Sequence, residues 1–154
     1  MANTFSQIYI QVVFAVQNRN SLIKTEWEEE LFKYITGITK NKGQKMLAIN
    51  GSHDHIHFFI GMKPNCCLSD LVREIKKASN VFVKESKFAN HNFQWQEGFG
   101  SFSYGHSQLT NVIQYIRKQK EHHKKHTFKN EYLAFLKAFE IEFKEEYLFQ
   151  WLDD

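Results

Sequence analysis

Residues 53–62, HDHIHFFIGM, alternate between two kinds of side chain. His53, His55 and His57 recur at every second position, and Ile56, Phe58 and Ile60 fall between and beyond them. Neighbouring side chains on a strand point to opposite faces. The run therefore predicts a strand with an aliphatic face, suited to a core beneath helices, and a second face carrying the three histidines and Phe59. An imidazole is costly to bury without a partner, so the histidine face is expected to lie open, with the side chains within reach of one metal ion. A lone histidine on a strand is commonly structural. A His-apolar-His pair in a strand of buried type leaves the structural and metal readings equally open.

The flanking segments fix where this strand sits. Ile8, Ile10, Val12, Phe14 and Val16 recur at period two and predict a strand over residues 6–16 with one apolar face. Trp27, Leu31, Ile35 and Ile38 have helical spacing, predicting a helix from Thr25 to Lys42 that stops at Gly43. Two strands, 45–50 and 53–62, flank the turn signal Asn50-Gly51-Ser52. A second amphipathic helix begins near Leu68, with Leu68, Leu71, Ile75 and Val81 inward and Ser69 as its cap. Residues 93–104 alternate again as a fourth strand, and helices follow over about 107–124 and 128–139. The order β-α-β-β-α-β predicts an α+β fold of ferredoxin-like or RRM-like type: an antiparallel sheet with helices on one face, plus C-terminal helices. With 154 residues, no linker, repeat or low-complexity segment and a single proline, residues 1–154 read as one domain.

Composition narrows the partners. No run of eighteen apolar residues exists, so no transmembrane helix is expected. The N-terminal MANTFSQIYIQ lacks a basic leader, so it does not read as a signal peptide. Cys66 and Cys67 are adjacent, which fits neither a Cys-x-x-Cys metal site nor a disulfide framework and points to the cytoplasm. The net charge is only +3, but Arg117 to Lys129 holds a single acid, Glu121. Seven acids follow (Glu131, Glu140, Glu142, Glu145, Glu146, Asp153 and Asp154) against Lys137 and Lys144. A basic block beside an acidic tail suits a phosphate-facing surface, and equally a solvated helix end.

The helix predicted over 107–124 carries Leu109, Val112, Ile113 and Ile116 as an inward stripe. Tyr115 and Gln119, four apart, stand one above the other at its edge. Taken alone, this is a tyrosine capping the core and a glutamine facing solvent. In combination with the histidines it becomes chemistry. A phenol can attack a phosphodiester and store the bond as phosphotyrosine, given a cation to offset the phosphate charge.

DHIHFFIG, VIQYIRKQKEHHKKHTF and WQEGFGSFSYGHSQ together resemble the single-tyrosine transposases of the IS200/IS605 type, in the HUH nuclease superfamily, and the resemblance runs over nearly the whole chain. It implies a metal-dependent strand transferase acting on single-stranded DNA ends of a mobile element. Tyr115 would be the nucleophile, forming a 5′-phosphotyrosine, with Mg2+ or Mn2+ on His55, His57 and Gln119. It also implies binding of subterminal DNA hairpins and a homodimer in which the tyrosine helix of one subunit can complete the site of the other. Arg73, Lys76, Lys77, Lys118, Lys124 and Lys125 are candidate phosphate contacts on charge alone.

Other readings compete. The histidine run is similar to the histidine triad of nucleotide hydrolases, although Asp54 stands where that pattern wants an apolar residue and the tyrosine helix would have no role. Two-histidine phosphoesterases need two His-x-Ser/Thr motifs, which are absent from this sequence. An RRM-like binding module would carry Phe or Tyr where the histidines lie. A non-catalytic hairpin-binding descendant of a transposase would keep the fold but has no need of the four presumed site residues, all of which are present. His122, His123 and His126, among lysines at a helix end, read as solvated or phosphate-contacting side chains rather than a second metal site.

Overall fold

A computed structural model describes residues 3–89 and 92–152 of the chain. Met1 and Ala2 of the N-terminal stretch, and Asp153 and Asp154 of the acidic block, lie outside the described residues. Four strands, β1 (Tyr9–Ala15), β2 (Lys45–Gly51), β3 (His55–Gly61) and β4 (Gly100–Tyr104), form one antiparallel sheet in the order β2-β3-β1-β4. Helix α1 (Thr25–Asn41) joins β1 to β2, and α2 (Leu68–Glu85) joins β3 to β4. The α+β order is thus the predicted one. Among the described residues no helix is long and apolar enough to cross a membrane.

Helices α1 and α2 cover the face that carries Val12, Phe14, Ile56, Phe58 and Ile60, all fully buried. Their own contributions recur at helical spacing: Trp27, Leu31 and Ile35 from α1, and Leu71, Val72, Ile75, Ser79 and Val83 from α2. The α2 stripe steps by fours from Ile75 through Ser79 to Val83. Val81 therefore sits about 200° round the helix from Ser79 and is 48% exposed rather than inward. The residue with extended backbone before α2 is Cys67, and it makes no side-chain cap, so Ser69 lies inside the first turn and is not the cap.

The opposite face is where expectation and structure part. It is covered, not open. Helices α3 (Leu109–Arg117), α4 (Gln119–His122) and α5 (Phe128–Ala138) pack over it. Val112 and Ile116 of α3 close on Phe59 and Ala48, and Phe135 of α5 stacks on Phe102 at 4.9 Å. That cover explains why Gln11, Val13 and Ala15, the second face of β1, are also buried. The helix predicted over 107–124 is interrupted at Lys118, whose ψ of 16° leaves the α-helical range. The fourth strand is shorter than predicted. Its ladder spans only Gly100–Tyr104, with one isolated bridge between Val16 and Trp95, because Gly98 at φ +82° turns the chain between them.

Candidate active site

β3 begins at His55, so His53 belongs to the preceding bend and is exposed, while His55 and His57 are fully buried beneath the C-terminal helices. Each imidazole is oriented through Nδ1. For His57 the partner is Gln11 Oε1, 2.8 Å away on the neighbouring strand. The other end of that carboxamide donates to the Tyr104 hydroxyl at 3.0 Å, which fixes the amide so that its oxygen accepts from His57. For His55 the partner is Asp54 Oδ1 at 2.7 Å. Both Nε2 atoms then turn toward the helices.

The group they meet is Glu131 of α5. Its Oε1 lies 3.0 Å from His57 Nε2, 3.3 Å from His55 Nε2 and 3.1 Å from His123 Nε2. Its Oε2 accepts from the Tyr115 hydroxyl and, at 3.0 Å, from Gln119 Nε2. Gln119 Oε1 lies 3.1 Å from His123 Nε2, so both ends of this amide are engaged. The His122 ring stacks on Tyr115 with centroids 4.6 Å apart, and Tyr115 lies 6.1 Å from the His57 ring. Thus Tyr115, His55, His57 and Gln119, predicted as one constellation, are brought together within a single chain, and the tyrosine stands against its own chain's histidine pair.

Charge in this cluster is tightly coupled. Burial works to raise the Glu131 pKa, but the surrounding imidazoles of His57, His123 and His55 hold it well below the carboxylate range. Burial opposes a proton on His55, yet the Asp54 and Glu131 carboxylates outweigh it and lift the pKa to about 9. Burial holds His57 below its ordinary value against the pull of Glu131. Burial and the adjacent carboxylate push the Tyr115 phenol far up, so without further positive charge the hydroxyl keeps its proton.

The donor set suits a divalent cation. A neutral His57 that donates through Nδ1 presents an Nε2 lone pair to a carboxylate oxygen. Two electron-rich atoms 3.0 Å apart are stabilised by a cation between them. His55 Nε2 is buried and has no hydrogen-bond partner. One donor atom from each of His55, His57 and Glu131 lies within 4.8 Å of the others. Orientation of ligating imidazoles by a carboxylate or carbonyl oxygen behind them is the usual second layer of a metal site.

Glu131, His123, Asp54 and Gln11 are the members that the sequence reading passed over. By charge alone Glu131 is the first acid of a tail. The signal for it was present: α5 buries Phe128, Tyr132 and Leu136, and position 131 falls on the same face at i, i+3, i+4, i+8. An acid on a buried stripe is rarely idle. His123, read as solvated, reaches the cluster because the chain turns at Lys118. Gln11 gave no sign, since only strand pairing across 46 residues brings it to His57.

The six basic candidates divide between the two sides. Lys118, Lys124 and Lys125 are exposed on the C-terminal helical side, the last two beside His53 and His123. Arg73, Lys76 and Lys77 lie on α2, beyond the opposite face. Arg73 pairs with Asp70 at 2.9 Å, and the Lys76 ammonium donates to the carbonyls of Gln96 and Gly98 at 2.8 and 2.6 Å.

Residues 4–119 match the family described as transposase IS200 like. A candidate transposase from Deinococcus radiodurans R1 superposes with a TM-score of 0.61 at 17% identity, covering 77% of this chain and 95% of its own. A REP-associated tyrosine transposase bound to a REP hairpin gives a TM-score of 0.59 at 18% identity, covering 80% and 73%. At these identities the two structures bear on the fold alone. No curated protein matches the sequence.

Proposed function

Because the chain belongs to the IS200-like transposase family, we propose that it cleaves and rejoins single-stranded DNA through a 5′-phosphotyrosine on Tyr115, with Mg2+ or Mn2+ held at His55 and His57. The observation that carries this reading is the juxtaposition of the Tyr115 phenol and the two Nε2 atoms around one carboxylate. A buried tyrosine that merely closed a core would not need histidines oriented from behind. A divalent cation bound there supplies positive charge against the negative charge that builds on a phosphate in displacement.

The chain's own groups account for the rest. Tyr115 gives up its proton, its oxygen bonds to phosphorus, and the 3′-oxygen departs and is protonated as a 3′-hydroxyl. Attack by a 3′-hydroxyl on the phosphotyrosine reverses the exchange, so no nucleotide triphosphate is consumed. A cavity of about 410 Å³ lies beside the nucleophile, lined by Tyr115, His122, His126, Glu131, Phe135 and Phe139, and offers DNA a way to the phenol. Lys118, Lys124 and Lys125 lie on the side from which a strand would arrive and are assigned to its phosphates. Arg73 and Lys77 are assigned to more distant phosphates of a hairpin. Lys76, held by two carbonyls, ties α2 to the segment before β4. We take the DNA to be a hairpin with a single-stranded flank, a reading supported by the REP-associated neighbour, which is bound to a REP hairpin. We take the working protein to be a cytoplasmic homodimer in which each chain builds its own site.

Cleavage of a labelled single strand carrying a hairpin and its flank tests the reading. With Mn2+ the wild type should cut at one position. His55→Ala and His57→Ala should retain hairpin binding and lose the cut. Unimpaired cutting by either variant would remove the histidines from the reaction.

A further inference from the structure

The resemblance assigns the third protein ligand of the cation to Gln119, and the matched family segment ends at that residue. The contacts argue for a different side chain. An amide binds a hard cation through its oxygen, and Gln119 Oε1 is occupied by His123 Nε2 at 3.1 Å while its nitrogen donates to Glu131. To ligate, Gln119 would have to give up both partners inside a fully buried setting. Glu131 Oε1 also meets His123 Nε2, at 3.1 Å, but it need not turn to reach the cation. Its Oε2 accepts two donors, from Tyr115 and Gln119, and its Oε1 already faces the two histidine Nε2 atoms. A carboxylate is also the better ligand for Mg2+ or Mn2+, which favour anionic oxygen.

We infer that Glu131, contributed by α5 beyond the matched segment, is the third protein ligand of the cation and at the same time the seat of the nucleophile, with Gln119 and His123 as positioning residues that hold its carboxylate. The inference rests on the metal-dependent reading above and refines it. One oxygen of Glu131 faces the histidines while the other holds the Tyr115 hydroxyl. Cation and phenol are thereby tied to one rigid group, which fixes the distance between them. Gln119 then acts through Glu131, and α5 is part of the active site rather than an accessory cover.

Calorimetric titration of the full chain with Mn2+, without DNA, is the test. Glu131→Gln preserves the shape and removes the charge, and should weaken Mn2+ binding by at least about tenfold, the scale on which perturbing a metal site registers. Gln119→Ala leaves the ligand in place and should weaken Mn2+ binding by less than Glu131→Gln does, while lowering the yield of covalent adduct because the carboxylate is no longer held. Glu131→Asp keeps the charge but withdraws it by one methylene, and should fall between them. This variant carries the test if Glu131→Gln unfolds, which circular dichroism would reveal. If Gln119→Ala loses the affinity and the Glu131 variants keep it, Gln119 is the ligand and the inference is overturned. If the wild type binds no Mn2+ at all, the metal-dependent reading itself fails, an outcome distinguishable from failure of the ligand assignment alone.

Discussion

Gln11 Oε1 and His57 Nδ1 meet at 2.8 Å across adjacent strands, and this contact decides which nitrogen of His57 faces the cluster. Asp54 does the same for His55 at 2.7 Å. Losing the Gln11 carboxamide, or exchanging the Asp54 carboxylate for an amide that can turn its N–H donors to the ring, lets the proton move to Nε2, where a ligand lone pair is needed. Gln11→Leu and Asp54→Asn should each weaken Mn2+ binding by about 10- to 100-fold, with the fold retained by circular dichroism. Unchanged affinity in both would mean that these contacts only fill space.

The metal-free protein should show a particular pH dependence. The pKa of His55 is raised in the fold to about 9, above an unfolded value of about 6.5. Its contribution to stability is therefore complete below about 6.5 and lost as pH climbs toward 9. Glu131, held well below the carboxylate range, contributes above about 4.5 and loses that contribution as the solution is acidified through its folded value. Lys76, lowered to about 8 by burial, works in the opposite sense on the alkaline side. Thermal unfolding with a chelator present should thus show a decline between pH 6.5 and 9 in the wild type that shrinks in Asp54→Asn. Equal slopes in the two proteins would contradict the assignment of His55.

Two glycines give opposite expectations. A Cβ at Gly51 would stand 2.3 Å from the backbone oxygen of His55 and 3.0 Å from Ile56 Cα, so the hairpin cannot accept one without shifting the histidine strand. Gly51→Ala should cost about 1–3 kcal/mol in urea unfolding and weaken Mn2+ binding as well. Gly37, inside α1 with open space around it, should gain about 1 kcal/mol on conversion to alanine, with metal affinity unaltered.

Subunit mixing separates a self-contained site from a shared one. Tyr115 lies against His57 of its own chain, so Tyr115→Phe mixed with His57→Ala should not restore cleavage even when heterodimers form. Restoration would show that the tyrosine helix can cross to a partner.

The order of elements along the chain and most of the helix faces were legible in the sequence, because periodicity reports which side of each element is apolar. Tyr115, Gln119, His55 and His57 were legible as residue types at suggestive spacing. The closed histidine face was not, because the rule that buried imidazoles are costly pointed to exposure. The partners that remove the cost, Gln11, Asp54 and Glu131, arrive through strand pairing, a neighbouring bend and a distant helix. Only Glu131 left a trace, as an acid on an apolar stripe, and it was masked by the acids that follow it.

On the proposed chemistry Tyr115 becomes covalently joined to DNA. Tyr115→Phe keeps the ring and its contact with His122 while deleting the one oxygen that can attack. Incubation of 5′- and 3′-labelled hairpin strands with Mn2+, followed by denaturing electrophoresis, reads the outcome directly. The wild type should give a protein–DNA band that survives denaturant, disappears with protease and carries the DNA through its 5′-phosphate, and Tyr115→Phe should bind the same hairpin and give no such band. A band that persists in Tyr115→Phe and vanishes in His55→Ala would remove Tyr115 from the chemistry and assign the nucleophile to a histidine.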